Sequence, residues 1–318
     1  VMNQWGKPAS AWVESPLQML CAVEAHHAGL LGQETRVVPR AGLRPLKVTR
    51  RELAKLALPK GLELAEPLER MPRKVQAVGD AFSGRVQVRW LLSGPGPIVI
   101  VDDGLATLRL LELLAAGPYQ PLLRARAQPG RLRKLLGLAA AIRLHASRVS
   151  VFTALPVPAE LAQGVAAAGV NLVKHDFGWL RAQPQSTPTP PERTVVLGTS
   201  LVRNGLVHRD SYLRWLAELA DSEPLAYFPH RREDPGDVAI IRDRPGITVH
   251  EAGAPAELTL RGLEAGQRVV SLPSTAITSL RVLLGPRGVA VEPVDVPDEW
   301  WTSRAAPALR SHLTGVPR

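Results

Sequence analysis

The sequence predicts an α/β protein of two Rossmann-like domains, and three observations carry that prediction. Short apolar runs alternate with stretches of helical periodicity, a proline-rich polar segment interrupts the alternation once, and short polar motifs stand immediately after several of the apolar runs. In the first half, Ala11 to Glu14 reads as a short strand and Pro16 to Ala28 as a helix, with Pro16 at a favourable first-turn position. Ile98 to Val101 is a fully apolar strand. The helix Leu105 to Ala116 follows it, with Leu108, Leu111 and Leu114 at helical spacing, and stops at Gly117-Pro118. Arg131 to His145 reads as a basic helix, and Val149 to Phe152 and Asn171 to Lys174 as further strands.

These elements define a first domain over residues 11–182. Residues 183–193, rich in proline from Pro184 to Pro191, sustain neither helix nor central strand and form the linker. Beyond it, strands at Thr194 to Leu197, Leu225 to Phe228, Ile247 to His250, Val269 to Leu272 and Gly288 to Val291 alternate with helices at Arg209 to Asp221, Ala256 to Glu264 and Ala276 to Leu284. That pattern is a second doubly wound domain over 194–292. Residues 293–318 form a tail whose short helix, Arg304 to Leu313, is expected to pack back on the domains.

With 45% apolar and 21% charged residues, the 318-residue chain has a globular composition and length enough for two cores. A lone cysteine, Cys21, excludes an internal disulfide and fits a reducing compartment. The opening segment, Val1 to Ser10, lacks the basic region and apolar core of a signal peptide. Apolar runs such as Leu135 to Ile142 fall short of the roughly 20 residues that span a bilayer. A cytoplasmic protein is expected, with the inner membrane face as a place of peripheral contact.

The net charge of +10 is concentrated in two stretches. One holds Arg36, Arg40, Arg44, Lys47, Arg50, Arg51 and Lys55. The other, free of acidic residues between Glu112 and Glu160, holds Arg124, Arg126, Arg131, Arg133, Lys134, Arg143 and Arg148. Such a field attracts polyanions: an anionic membrane, an acidic polysaccharide or nucleic acid. It also fits a merely solvated basic face. Aromatics at 4% and the lack of a recognition motif count against nucleic acid.

Ligands of open α/β sheets bind at the carboxyl ends of the strands, where the polar motifs stand. Asp102-Asp103-Gly104 follows the strand ending at Val101, so Asp103 is a candidate general base, or one of the two aspartates caps the next helix. Pro229-His230-Arg231-Arg232-Glu233 follows Phe228. It offers an imidazole that titrates near pH 6.5, with Pro229 before it and Arg231 beside it to favour an anion. Ser274 and Thr275 precede a helix, where hydroxyls and N–H groups seat a phosphate or cap the helix. Gly198, Thr199 and Ser200 repeat the arrangement. Glu257, after Gly253-Ala254-Pro255, suits ribose hydroxyls or a favourable first-turn charge. No Asp-x-Asp motif or cluster at metal-ligand spacing is seen, and no metal or cofactor is expected.

Together these motifs resemble the bacterial sialyltransferases of GT-B type, the lipooligosaccharide sialyltransferase and polysialyltransferase families. Those carry an acidic-acidic-Gly motif in the first domain, then a His-Pro motif and a Ser-Ser/Thr motif in the second. Glu14-Ser15-Pro16-Leu17-Gln18 also resembles their first strand-to-helix turn, and the likeness runs from Glu14 to about Glu292. One departure is plain: His230 follows a proline and precedes an arginine. The resemblance implies two domains facing a central cleft and inverting, metal-independent transfer of a sialic or related nonulosonic acid from a CMP-sugar to a glycan. Asp103 would be the base, His230 the general acid or phosphate partner, Ser274 and Thr275 the phosphate seat and Glu257 the ribose ligand. CMP-Kdo, CMP-Kdn, a UDP- or GDP-sugar, and a non-catalytic polyanion- or nucleotide-binding protein are the alternatives.

Overall fold

A computed structural model describes residues 9–94, 96–124, 130–184, 189–251, 254–307 and 310. The chain separates into two compact units, residues 1–184 and 185–318. The first runs β1 (Ala9–Val13), α1 (Pro16–His27), β2 (Thr35–Pro39), α2 (Arg44–Leu53), β3 (Leu62–Leu64), β4 (Ala77–Val78), α3 (Gly84–Leu92) and β5 (Ile98–Val101). It continues with α4 (Leu105–Ala115), α5 (Arg131–His145), β6 (Val149–Thr153), α6 (Ala159–Ala167), β7 (Asn171–Lys174) and α7 (Gly178–Arg181). Its seven strands lie in the order β3-β2-β1-β4-β5-β6-β7, and every pairing is parallel. The second unit runs β8 (Thr194–Leu197), α8 (Arg209–Ser222), β9 (Leu225–Phe228), α9 (Pro235–Arg242), β10 (Ile247–Val249), α10 (Ala256–Thr259), β11 (Arg268–Ser271), α11 (Thr275–Leu284) and β12 (Ala290–Pro293). Its order is β10-β9-β8-β11-β12, again all parallel. Both units are therefore Rossmann-like.

The central strands form because both faces of a parallel sheet are covered, which rewards unbroken β-branched runs. All four residues of β5, Ile-Val-Ile-Val, are buried, as are all four of β8, Thr-Val-Val-Leu. Trp12, Ile100 and Val151 from the first sheet pack with Trp90, Leu110, Leu111 and Leu114 from α3 and α4. In each sheet the chain winds outward from one strand and then returns to its other side. The strand order thus reverses between β1 and β4 in the first unit and between β8 and β11 in the second. At such a reversal the flanking loops diverge to opposite faces and open a crevice.

The span from 29 to 97, where the sequence announces no elements, holds β2, α2, β3, β4 and α3. β2 includes Arg36 and Pro39, β3 is three residues long and β4 two, too short and too polar for a periodic signal. Part of the first basic stretch is paired on the surface, while Arg44, Lys47 and Arg51 form no ion pair among the described residues. Arg36 pairs with Glu63 on β3 at 3.1 Å, Arg50 with Glu66 at 2.5 Å and Lys55 with Glu52 at 2.8 Å.

Smaller corrections fall in the second unit. The helix expected to reach Glu264 stops at Thr259, the last strand is shifted to Ala290–Pro293, and α9 is additional. In the tail, Val296, Trp301 and Ala305 are buried in the second unit's core, and Trp301 bridges to Val207. Half of the expected Arg304 to Leu313 helix, residues 308, 309 and 311–313, lies outside the described residues.

Candidate functional site

In the first unit the register aligns Trp12 with Val78, Val78 with Ile100 and Val101 with Phe152. The loops leaving β1, β4 and β5 consequently start at one level and gather Glu14, Ser15, Asp80, Asp102 and Asp103 at the reversal.

The two aspartates of the acidic pair divide the work. Asp102 is buried, and its Oδ1 accepts the Gly104 N–H at 2.9 Å and the Thr107 hydroxyl at 2.8 Å. Its Oδ2 accepts the Thr153 hydroxyl at 2.6 Å and the Ala154 N–H at 3.1 Å. Asp102 therefore closes the turn before α4 and ties β5 to β6, while the N-cap position of α4 is Gly104 without a side-chain cap, so neither aspartate caps the helix. The Asp103 side chain bonds instead to Ser15. It faces a recess lined by Gly79, Asp80, Phe82, Ile100 and Thr107. Burial, reinforced by the negative charge of Asp80, pushes its carboxyl up to about 7, against opposing hydrogen bonds from Gln18 and Ser15 and the positive charge of Arg124. A carboxyl raised from its usual range toward neutrality has the basicity that a general base needs.

Ser15 and Gln18, from the first strand-to-helix turn, hold Asp103 in place, though the sequence assigned them no role. Ser15 caps α1 by accepting the Gln18 N–H at 3.3 Å and donates its hydroxyl to Asp103 Oδ1 at 3.1 Å. Gln18, fully buried, accepts the Glu14 N–H on Oε1 at 2.7 Å, which leaves its amide NH₂ as the donor toward Asp103. Asp80 takes the Phe82 N–H at 2.9 Å on one oxygen and the Arg124 guanidinium on the other. Arg124, read from the sequence as part of a basic field, is thus committed to this cluster. Gly79 admits Gln18: a Cβ at position 79 would lie 2.1 Å from the Gln18 carboxamide carbon. Gly79→Ala is expected to destabilise the protein by about 1–3 kcal/mol through overpacking, read as a lower urea midpoint at unchanged slope.

In the second unit Leu197 is in register with both Phe228 and Ser271, so the loops after β8, β9 and β11 also leave at one level. They carry Gly198-Thr199-Ser200, Pro229-His230-Arg231 and Ser274-Thr275. Ser274 caps α11, accepting the Ala276 N–H at 3.3 Å, with Thr275 as the first helical residue. Gly253 lies outside the described residues. Glu257 is buried in the first turn of α10 and accepts the Ser279 hydroxyl of α11. The open ribose ligand expected from the sequence is here a buried, hydrogen-bonded carboxylate.

His230 also departs from expectation. Burial and the charges of Arg231 and Arg232 push its imidazole down to about 4, so it is neutral at pH 7 rather than a ready proton donor. Its Nδ1 accepts the Arg232 N–H at 3.1 Å, and a backbone amide only donates, so the ring proton resides on Nε2. The ring offers one N–H and no charge.

Glu233 organises this end of the sheet. Its Oε1 accepts the Thr199 N–H at 2.9 Å and the Tyr227 hydroxyl at 2.6 Å, while Oε2 accepts the His230 N–H at 2.9 Å. Tyr227 in turn meets the Tyr212 hydroxyl at 3.0 Å. Burial holds the Glu233 carboxyl above the usual range despite these donors. Gly198 fits only without a side chain, since a Cβ would stand 2.5 Å from Glu233 Oε2 and 2.6 Å from His230 N. The signal for Glu233 was its position three residues beyond His230 in a motif after a strand. Asp80, after a two-residue strand, left none.

No family model and no curated protein matches the sequence. Among solved structures, a UDP-glucose:anthocyanidin 3-O-glucosyltransferase in complex with UDP is 11% identical, covering 98% of this chain and 94% of that one at a TM-score of 0.45. Phytolacca americana UGT2, complexed with UDP-2-fluoroglucose and pterostilbene, is 12% identical over 98% of this chain and 94% of that one, at 0.46. Likeness at this level identifies no family. Among the described residues, no helix is long and apolar enough to cross a membrane, and no group of three or more His, Cys, Asp or Glu is placed to hold a metal ion.

Proposed function

We infer that the chain is an inverting, metal-independent glycosyltransferase of GT-B type that moves a sialic or related nonulosonic acid from a CMP-sugar to a glycan acceptor. The observation that carries this reading is Asp103, a carboxyl held near neutrality at the strand-order reversal of the first unit, beside a recess. In the proposed reaction Asp103 accepts the proton of an acceptor hydroxyl as that oxygen bonds to the anomeric carbon. The bond from that carbon to the CMP phosphate breaks, and CMP departs with the bonding electrons.

The second unit supplies the nucleotide seat. The second ionisation of a phosphate monoester falls near pH 6, so the departing phosphate needs stabilisation rather than a proton at pH 7. The Nε2–H of a neutral His230, the Ser274 and Thr275 hydroxyls and the start of α11 supply donors for it. This reading makes His230 a phosphate partner and drops its acid role.

Thermal unfolding with CMP, UDP and GDP in parallel tests the donor class. CMP at 100 times its dissociation constant stabilises its binding unit by about 2.7 kcal/mol, and UDP and GDP are expected to do markedly less. Stabilisation by UDP or GDP without CMP would replace the nonulosonic donor by another nucleotide sugar. CMP binding with no transfer or donor hydrolysis would leave a non-catalytic binder. Discrimination of CMP-Kdo and CMP-Kdn from CMP-sialic acid follows from turnover of each, with EDTA expected to change none of the rates.

A further inference from the structure

We propose that the outer face formed by α3 and α5 of the first unit is a docking surface for an anionic lipid bilayer. The two helices lie side by side: the Arg133 guanidinium donates to Gln87 at 2.6 Å, Leu136 borders Gly84, and Arg143 donates to the Gly94 carbonyl at 2.9 Å. The exposed side chains of the two helices include an apolar set beside Arg85, Arg131 and Lys134. Leu132 is 84% exposed, Leu92 74% and Leu135 61%, with Val88, Leu91 and Ile142 exposed around them. On α5, Leu132, Leu135 and Ile142 recur at helical spacing on one stripe, and α3 exposes Val88, Leu91 and Leu92 at spacings of three and four residues. Isolated exposed leucines are ordinary, but six exposed aliphatic side chains on two adjacent helices mark an interaction surface.

Charge selects the partner. Arg85, Arg131 and Lys134 are exposed among these side chains. The sequence has no acidic residue between Asp80 and Asp102 or between Glu112 and Glu160, which covers both helices. Among the described residues, none of these three cations forms an ion pair. Arg133 and Arg143 bond to neutral groups and keep their charge, so the two helices carry only basic charge, with exposed Glu69 at their border where Arg85 reaches its carbonyl. A second copy of this face would set cation against cation. Nucleic acid would find phosphate contacts but only aliphatic side chains where stacking needs rings. An anionic membrane matches both halves of the surface, with leucines entering the headgroup and acyl boundary and lysine and arginine meeting lipid phosphates.

Co-sedimentation of the full chain with phosphatidylcholine vesicles, with and without phosphatidylglycerol, tests this. Binding is expected only to the mixed vesicles and is expected to fall with salt. Leu132→Ser with Leu135→Ser, and separately Arg131→Glu with Lys134→Glu, should each weaken it on the order of tenfold. Arg214→Glu on exposed α8 should not. The charge-reversal pair is fully exposed and keeps the test alive if the serine pair unfolds. Equal binding by either double variant, no binding to mixed vesicles, equally tight binding to a soluble polyanion such as heparin, or a concentration-dependent dimer abolished by the serine pair would each overturn the proposal. None of these outcomes depends on glycosyl transfer.

Discussion

Asp103→Asn is expected to lower transfer by roughly 10²- to 10⁴-fold, the range that a positioned general base contributes, while nucleotide binding to the second unit stays unchanged. The asparagine keeps the shape and can still accept from Ser15, so loss of rate without loss of fold separates base chemistry from packing. The pH profile gives an independent check. The base must be ionised, so kcat/KM rises with pH through a limb centred near the Asp103 value of about 7. Asp80→Asn removes the neighbouring negative charge and should move that limb to lower pH. A flat profile in the wild type, or an Asp103→Asn variant with full activity, would place the base elsewhere.

The same carboxyl makes a signed prediction about stability. Its folded value of about 7 stands above the ordinary 3.8, so between those values the native state holds a proton that the unfolded chain has released. Stability from this group is present at low pH and is lost as pH rises from about 4 to about 7. Glu24 acts in the same sense, its carboxyl raised by burial to about 7. It is buried in α1 and receives the Trp179 and Leu180 N–H groups at 3.0 and 2.9 Å, which anchors α7 to α1. Asp103→Asn should therefore flatten the decline of denaturation midpoint over that interval only in part, leaving the slope due to Glu24 and to Asp102 and Glu233, whose carboxyls burial also raises.

The elements legible in the sequence were those that bury both faces. β5 and β8 announce themselves as unbroken apolar runs, and the motifs after them, Asp102-Asp103 and Gly198-Thr199, fall where the strands end. Hidden elements are those whose stability comes from neighbours rather than from local pattern. β4 is two residues long and exists because β1 and β5 flank it, yet it delivers Gly79 and Asp80 to the site. Composition likewise overstated the basic field, because Arg36, Arg50 and Arg124 are paired with carboxylates 27, 16 and 44 positions away. Sequence reasoning could identify His230 as a chemical residue but not its protonation, since that depends on burial and on a hydrogen bond from the chain two residues ahead.

Glu233→Ala is expected to be the most damaging single substitution in the second unit. It strands three donors at once, the Thr199 and His230 backbone N–H groups and the Tyr227 hydroxyl. Each unsatisfied buried donor costs about 1–3 kcal/mol, and partial access of water reduces the sum, so a loss of about 3–5 kcal/mol is expected. For a unit of this size that lowers the unfolding temperature by about 10 °C or more. Glu233→Gln separates the carboxylate's charge from its shape. A glutamine can still accept at one oxygen, but its NH₂ faces a donor where Glu233 offered an acceptor, so the loss should be intermediate. Because the His230 and Gly198 loops are pinned through the same carboxylate, CMP affinity should fall alongside stability in both variants. Unaltered CMP binding in a destabilised Glu233→Gln would detach this network from the nucleotide seat and make it purely architectural.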